Sequence, residues 1–350
     1  IPLLRNAWHS GLQHSGRSDM ANMRPAACVM GWPVKQSRAP IIHGYWIEKH
    51  RLDVDFRLEA VPPEEFAAFL ASLGERGYVG GSATMPHKQM ALTLTEPDAR
   101  ASAIGAANVI WLDNGKLRST NSDVVGFIAA LDESAPGWER RAEKAVVFGA
   151  GGAACAVLYG LLERGVSSIH VHNRTAAKAQ ALRERFGPKV VPTDAAALPA
   201  ALAGAGLLVN ATSFGMAGNP DLEVDLSTLR ADAAVADAVY VPLETGLLKR
   251  ARARGLAVSD GLGMLLHQGT ICFEKWFGVR PVVKRVAPRR PWVWFMPWGP
   301  VDPRESPDAE RSQLAPPYPD LLIASGRRSV TYLRAVRKAS GGKTFTVLLK

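Results

Sequence analysis

The feature that most constrains the fold is the stretch KAVVFGAGGAACAVLYGLLERG at 144–165. A short run of β-branched and apolar residues leads into a glycine-rich turn, and a long apolar helical pattern follows. Gly149, Gly151 and Ala154 fit G-x-G-x-x-A at the junction. The first glycine permits a tight turn, the second lets the main chain approach a pyrophosphate, and the alanine lets helix and strand pack closely. The free N–H groups and the positive dipole end of the helix then face the phosphates. Strand, turn and helix in this order point to a Rossmann-type α/β unit that holds a dinucleotide through Gly149, Ala150, Gly151, Gly152 and Ala153.

The exit of the following strand, SSIHVHNRT, refines the cofactor. A carboxylate there would serve the ribose hydroxyls of NAD, and would repel a 2′-phosphate. This chain has Asn173, Arg174 and Thr175, with Lys178 one turn on. Cations at that place suit a phosphate, so NADP is expected. The plainer reading of Arg174 is a solvated charge at a helix start.

The alternation continues with a helix (AAKAQALRERFG), two strands (LLVNATSFGM and AAVADAVYV) and a helix at 264–278. A separate α/β unit precedes it. Residues 26–34 read as a short buried strand, 40–50 as a helix, and 62–77 as an amphipathic helix with acidic residues in its first turn. Residues 78–88 read as a strand running into a loop. This β-α-β-α order implies a parallel sheet.

Charge decides which partners are excluded. The chain is formally +10, yet residues 279–350 carry 14 basic and 5 acidic side chains, and residues 20–278 hold 26 of each sign. A nucleic-acid reading would therefore rest on the tail alone. No run approaches the roughly 18 apolar residues of a spanning helix. Three scattered cysteines, Cys28, Cys155 and Cys272, are too few for a disulfide framework or a zinc site and fit a reducing, cytoplasmic setting. Residues 1–19 read as a non-native or disordered leader. Ten of the 24 prolines lie between Pro281 and Pro319, so 289–350 reads as an extended or disordered tail. An arm that binds acidic surfaces or membrane through Arg and Trp is the other reading of the tail.

The first unit supplies candidate chemistry. Lys88 follows Pro86 in MPHK, and Asp123 opens a helix in STNSDVVGF. A lysine beside a carboxylate can pass a proton to or from an alcohol oxygen while hydride moves to a nicotinamide. Spacing alone does not bring the two together.

Nine motifs in order resemble the shikimate dehydrogenase family: GWPVKQSRAPIIH, GGSATMPHK, IGAANVI, STNSDVVGF, GAGGAA, NRT, NATSFGM, DAVYVPLET and DGLGMLLHQG. The resemblance implies an N-terminal α/β substrate-binding domain (20–127 and 257–288) and a Rossmann NADP-binding domain (128–256), with a C-terminal helix returning to the first. It implies reversible NADPH-dependent reduction of 3-dehydroshikimate to shikimate in aromatic amino-acid biosynthesis, by a monomer or homodimer acting on small molecules. It casts Lys88 and Asp123 as the catalytic pair, and Ser37, Thr84, Asn108 and Gln268 as substrate contacts. Tyr240 and Gly261 would lie beside the nicotinamide. A quinate/shikimate-like dehydrogenase of relaxed specificity and a catalytically silent NADP-binding regulator are the alternatives.

The chain departs from the family pattern at four places. Ala39 stands where a second serine is usual, Ser82 where Asn is usual, Ser122 where Thr is usual and Gln36 where His is common. The lost hydroxyl at Ala39 bears on the substrate carboxylate and leaves the Lys88–Asp123 chemistry untouched. His170 and His172 alternate on one strand face but lack a third ligand at suitable spacing, so no metal is expected. His43 and His267 read as packing or pocket-lining residues, and His87 as a residue beside Lys88 that shapes the pocket or lies exposed.

Overall fold

The computed structural model describes residues 24–35 and 37–286, with short strands at 293–295 and 322–324. Residues 1–19, Gln36 and most of 289–350 lie outside the described residues, and the expectations for them with it.

The first lobe runs β1 (Ala26–Gly31), α1 (Ala39–Lys49), β2 (Asp55–Ala60), α2 (Phe66–Ala71), β3 (Tyr78–Ala83), α3 (Lys88–Thr93), β4 (Glu96–Pro97), α4 (Ala99–Ile104), β5 (Val109–Asp113), β6 (Lys116–Thr120) and α5 (Asp123–Ser134). Its six-stranded sheet has the order β2-β1-β3-β5-β6-β4. The expected parallel sheet is instead mixed. β1 pairs in parallel with β2 and β3, whereas β5 runs antiparallel to both β3 and β6. The β5–β6 pair is a hairpin closed by Asn114 and Gly115, both with positive φ. Asn-Gly is the preferred pair for such a two-residue turn.

The helix expected over 62–77 is shorter. A 3₁₀ turn at Pro63–Glu65 leads into α2, which stops at Ala71. The Ser72 hydroxyl there donates back to the carbonyls of Ala68 and Phe69, competing with helix propagation.

The second lobe runs β7 (Lys144–Phe148), α6 (Gly152–Glu163), β8 (Ser168–His172), α7 (Ala176–Phe186), β9 (Val190–Pro192), α8 (Leu198–Leu202), β10 (Leu207–Asn210), β11 (Ala234–Asp237), α9 (Gly246–Ala253) and β12 (Ala257–Ser259). Its sheet has the order β12-β11-β10-β7-β8-β9, and every pair is parallel. Strands buried on both faces read as continuous apolar runs, as LLVN and AVAD do. The strand order reverses between β7 and β10, and ligands bind at the carboxyl ends of strands at such a switch point.

The long helix α10 (Gly261–Phe277) leaves the second lobe and packs on α5, α1, β3 and β5 of the first. Asp260 caps it, accepting the Gly263 N–H at 3.0 Å, and Gly278 ends it in a left-handed conformation. Its far end is anchored by aromatic burial. Trp276 donates from Nε1 to the Ile110 carbonyl at 2.9 Å, and Phe273 packs edge-on against Trp46. All three rings are buried.

The contacts of the chain divide between Pro281 and Val282. Within the later unit β13 (Lys284–Val286), β14 (Val293–Phe295) and β15 (Leu322–Ala324) pair antiparallel. The last two are the only strands described within the segment expected to be extended or disordered.

Candidate active site between the two lobes

Local turns bring the polar side chains together. β3 ends at Ala83, and the loop carrying the cis Met85–Pro86 bond delivers Lys88 as the first residue of α3, not as part of the loop. β6 ends at Thr120, and Asp123 opens α5. Asn108 stands at the entry to β5. Lys88 Nζ donates to Asp123 Oδ2 at 2.5 Å. Asn108 Nδ2 lies 3.0 Å from Asp123 Oδ1 and 3.2 Å from Gln268 Oε1. Asn108 Oδ1 in turn accepts the Ser122 N–H at 2.7 Å. Both carboxylate oxygens of Asp123 are therefore engaged, and the positive end of α5 adds to the stabilisation of its charge. Asp123 is 2% exposed and the Lys88 side chain 23%, and both line one cavity.

That cavity has a volume of about 210 Å³. It gathers Ser37, Thr84, Lys88, Asn108, Asp123 and Gln268 of the first lobe and α10, together with Ala153, Tyr240 and Gly261. Ser37 Oγ accepts the Ala39 N–H at 3.3 Å, and its own O–H has no hydrogen-bond acceptor among the described residues. The opposite wall comes from α10. Gly261, Met264, Leu265, Gln268, Gly269 and Cys272 all line the cavity, and their spacing puts them on one helical face. Of these, Met264, Leu265, Gly269 and Cys272 were not singled out from the sequence. The same i, i+4 rule links Ala39 to His43 on α1.

His43 lines the cavity yet is closed in by rings: it stacks on Phe56 with centroids 4.3 Å apart and lies edge-on to Trp46. Burial lowers its pKa to about 3. Burial likewise pushes the Cys272 thiol up to about 12, so it stays protonated beside Ser122. His87 is buried, bonds the Val61 carbonyl through Nε2 at 2.8 Å, and stacks on Phe66, so it braces the lysine loop.

The dinucleotide residues divide into two groups. Ala153, Tyr240 and Gly261 reach the cavity. Gly149, Ala150, Gly151, Gly152, Asn173, Arg174, Thr175 and Lys178 do not line it and follow the carboxyl ends of β7 and β8. Gly149 has φ +108°, and a side chain there would begin 2.8 Å from the Ala211 carbonyl oxygen. At Gly151 a side chain would meet nothing within 4 Å. The turn thus presents open main chain at the start of a 12-residue helix, as a pyrophosphate requires. Gly149 N donates to the His172 carbonyl at 2.9 Å, tying the turn to the strand that ends in Asn173. Arg174 and Lys178 are exposed and form no ion pair among the described residues. These residues fit a phosphorylated dinucleotide.

Next to the turn, Asp237 accepts from Asn210 Nδ2 (2.9 Å), Val239 N (3.0 Å) and Thr245 Oγ1 (2.7 Å). It pins the ends of β10 and β11 and the cap of α9. Burial raises its pKa to about 6. Burial also raises the Tyr240 phenol, against the lowering effect of Arg38. His170 and His172 each bond Thr193, and no group of three His, Cys, Asp or Glu among the described residues is placed to hold a metal.

A mixed α/β lobe and a doubly wound lobe, with a Lys–Asp pair beside a glycine-rich dinucleotide turn, define a two-lobed nicotinamide-dependent oxidoreductase. Comparison with known proteins gives the family. The shikimate dehydrogenase substrate binding domain matches residues 29–110, and the shikimate / quinate 5-dehydrogenase family matches residues 133–217. A shikimate dehydrogenase (NADP(+)) of Rhodopseudomonas palustris strain TIE-1 is 57% identical over 264 residues, 75% of this chain and 95% of that protein. The chain belongs to the shikimate dehydrogenase family. Among solved structures, shikimate 5-dehydrogenase from Thermus thermophilus in complex with NADP(H) and shikimate matches with TM-score 0.65 and 34% identity, over 74% of this chain and 95% of that one. Quinate dehydrogenase from Corynebacterium glutamicum in complex with NAD matches with TM-score 0.68 and 31% identity over the same shares. A different family, described as mitochondrial fission ELM1, matches residues 259–350. Among the described residues no helix is long and apolar enough to cross a membrane.

Proposed function

We propose that this chain catalyses the reversible, NADP-dependent interconversion of 3-dehydroshikimate and shikimate. The observation that carries the reading is the cavity in which the Lys88–Asp123 pair meets Ala153, Tyr240 and Gly261 of the dinucleotide side. The chemistry that NADPH supplies when bound is hydride transfer to the substrate carbonyl carbon. Lys88 Nζ gives its proton to the carbonyl oxygen in reduction and takes the hydroxyl proton in oxidation. Asp123 orients the amine and balances its charge, and Asn108 fixes Asp123. Because Lys88 is partly exposed, the spent proton is replaced from solvent.

Ser37 donates its hydroxyl to the substrate carboxylate, and Thr84, Asn108 and Gln268 meet the ring hydroxyls. Gly149 to Ala153 cradle the pyrophosphate, Asn173 and Thr175 border the ribose, and Arg174 and Lys178 take the 2′-phosphate. Residues 20–127 with α10 serve as the substrate domain and 128–256 with β12 as the cofactor domain, the boundary expected at 257 moving because β12 pairs with β11 in the second sheet. The charge balance of 20–278 supports small-molecule partners without nucleic acid or membrane, and the three free cysteines support a cytoplasmic enzyme.

The test is a panel of shikimate and quinate, each with NADP⁺ and NAD⁺, followed at the nicotinamide absorbance band. Turnover led by shikimate with NADP⁺ supports the proposal. Turnover led by quinate, or equal use of the two cofactors, defeats the substrate or the phosphate-clamp assignment respectively.

A further inference from the structure

Away from the cavity the two lobes are joined by a small buried cluster of Ile104, Ala106, Val124 and Ala156. At its edge a polar contact crosses the same boundary. Arg185, in the last turn of α7, donates from Nη1 to the main-chain oxygen of Ile104 at 2.8 Å. Gly105 is left-handed there (φ +76°), and a side chain on it would begin 1.3 Å from Arg185 Nη1. The guanidinium thus occupies the space of the missing side chain. It serves one of the carbonyls that the end of α4 leaves without an intrahelical partner, with the sign of charge such an end favours.

The segment that follows leads directly into the polar cluster. Asn121 Nδ2 donates to the Ala106 carbonyl at 2.9 Å, and Ala107 N donates to the Lys88 carbonyl at 2.9 Å. Asn108 then engages Asp123. Ile104 to Asn108 is therefore a short strap, gripped at one end by the cofactor lobe and holding the main chain of Lys88 and the side chain of Asp123 at the other. The helix that supplies Arg185 begins just after Arg174 and carries Lys178 in its first turn.

We propose that Arg185 is a positioning residue, which ties the helix at the 2′-phosphate end of the cofactor lobe to the Lys88–Asp123 pair by fixing the strap 104–108. The proposal rests on the reading of Lys88 and Asp123 given above. The test is the full chain carrying Arg185→Met, which keeps the aliphatic stem and removes the donor, with Arg185→Lys as the conservative variant. Two quantities are read: steady-state kinetics with shikimate and NADP⁺, and amide hydrogen exchange of segment 104–108 in the absence of ligands. Arg185→Met is expected to lower kcat by about 3–10-fold, with KM for NADP⁺ within about 2-fold, the size of one charge-assisted contact. Exchange over 104–108 is expected to accelerate while that of β7 stays unchanged, and Arg185→Lys is expected to restore most of both. Unchanged exchange in Arg185→Met overturns the proposal, as does faster exchange with unchanged kcat. If the unmodified chain does not turn over shikimate, the reading of the site fails, and the exchange result still decides whether Arg185 holds the strap.

Discussion

Lys88 and Gly152 meet across the lobe boundary: a side chain added to Gly152 would begin 3.7 Å from Lys88 Cδ. The aliphatic stem of Lys88 thus lies over the first residue of the dinucleotide helix. A methyl group at 152 would make only ordinary contact with that side chain, whereas a larger group would collide with it and cover the turn. Gly152→Leu is therefore expected to lower kcat/KM for shikimate by about 10-fold or more and to weaken NADP⁺ binding. Titration of the variant with NADP⁺, beside its steady-state kinetics, checks both effects.

Much of this site was legible because its motifs are local. The turn at 149–153 and the exposed Arg174 after β8 are written in consecutive residues, and the doubly wound lobe follows from its strand–helix alternation. The pairing of Lys88 with Asp123 was not, since 35 residues separate them and only the mixed sheet of the first lobe closes the gap. That sheet was expected to be parallel although Asn114-Gly115 stood in plain view as a hairpin turn. The apolar wall from α10 was legible in principle from the spacing of Gly261, Met264, Gln268 and Cys272, yet helical periodicity does not say which face meets a cavity. Arg185 carried no signal, because its partner is a main-chain carbonyl 81 residues away.

Arg174 and Lys178 bear on the choice of cofactor. Arg174→Ala is expected to raise KM for NADP⁺ by about 10-fold and to leave KM for NAD⁺ within about 2-fold, because a charge-assisted pair with phosphate is lost and no ribose contact is. Equal loss with both cofactors would remove Arg174 from the 2′-phosphate.

His43 sets a pH dependence of stability. It stays neutral in the fold down to about pH 3, whereas its ordinary value is 6.5. Between those limits the unfolded chain binds a proton that the native state refuses, so stability falls as pH drops from 6.5 towards 3. Near pH 4 the loss is about 3 kcal/mol. Asp237 acts in the opposite sense: its folded value of about 6 lies above its ordinary 3.8, so its contribution grows as pH falls through that window. Urea unfolding at a series of pH values is expected to show a shallower acid loss in His43→Phe than in the unmodified chain, and a steeper one in Asp237→Asn.

Trp276 anchors the helix that returns to the first lobe. It is 2% exposed, packs against Phe277 and donates to the Ile110 carbonyl. Trp276→Ala is expected to cost about 3–5 kcal/mol, the range for emptying a large aromatic from a core, with an added penalty for the orphaned carbonyl. Its denaturant midpoint, with an unchanged slope, measures this.

The most direct measurement compares the unmodified chain with Lys88→Ala in the oxidation of shikimate by NADP⁺, with the cofactor affinity of each determined separately. The expected result is a kcat lower by about 10²–10⁴-fold in Lys88→Ala and an NADP⁺ affinity within about 3-fold. A variant that turns over at the rate of the unmodified chain would contradict the assignment of proton transfer to Lys88.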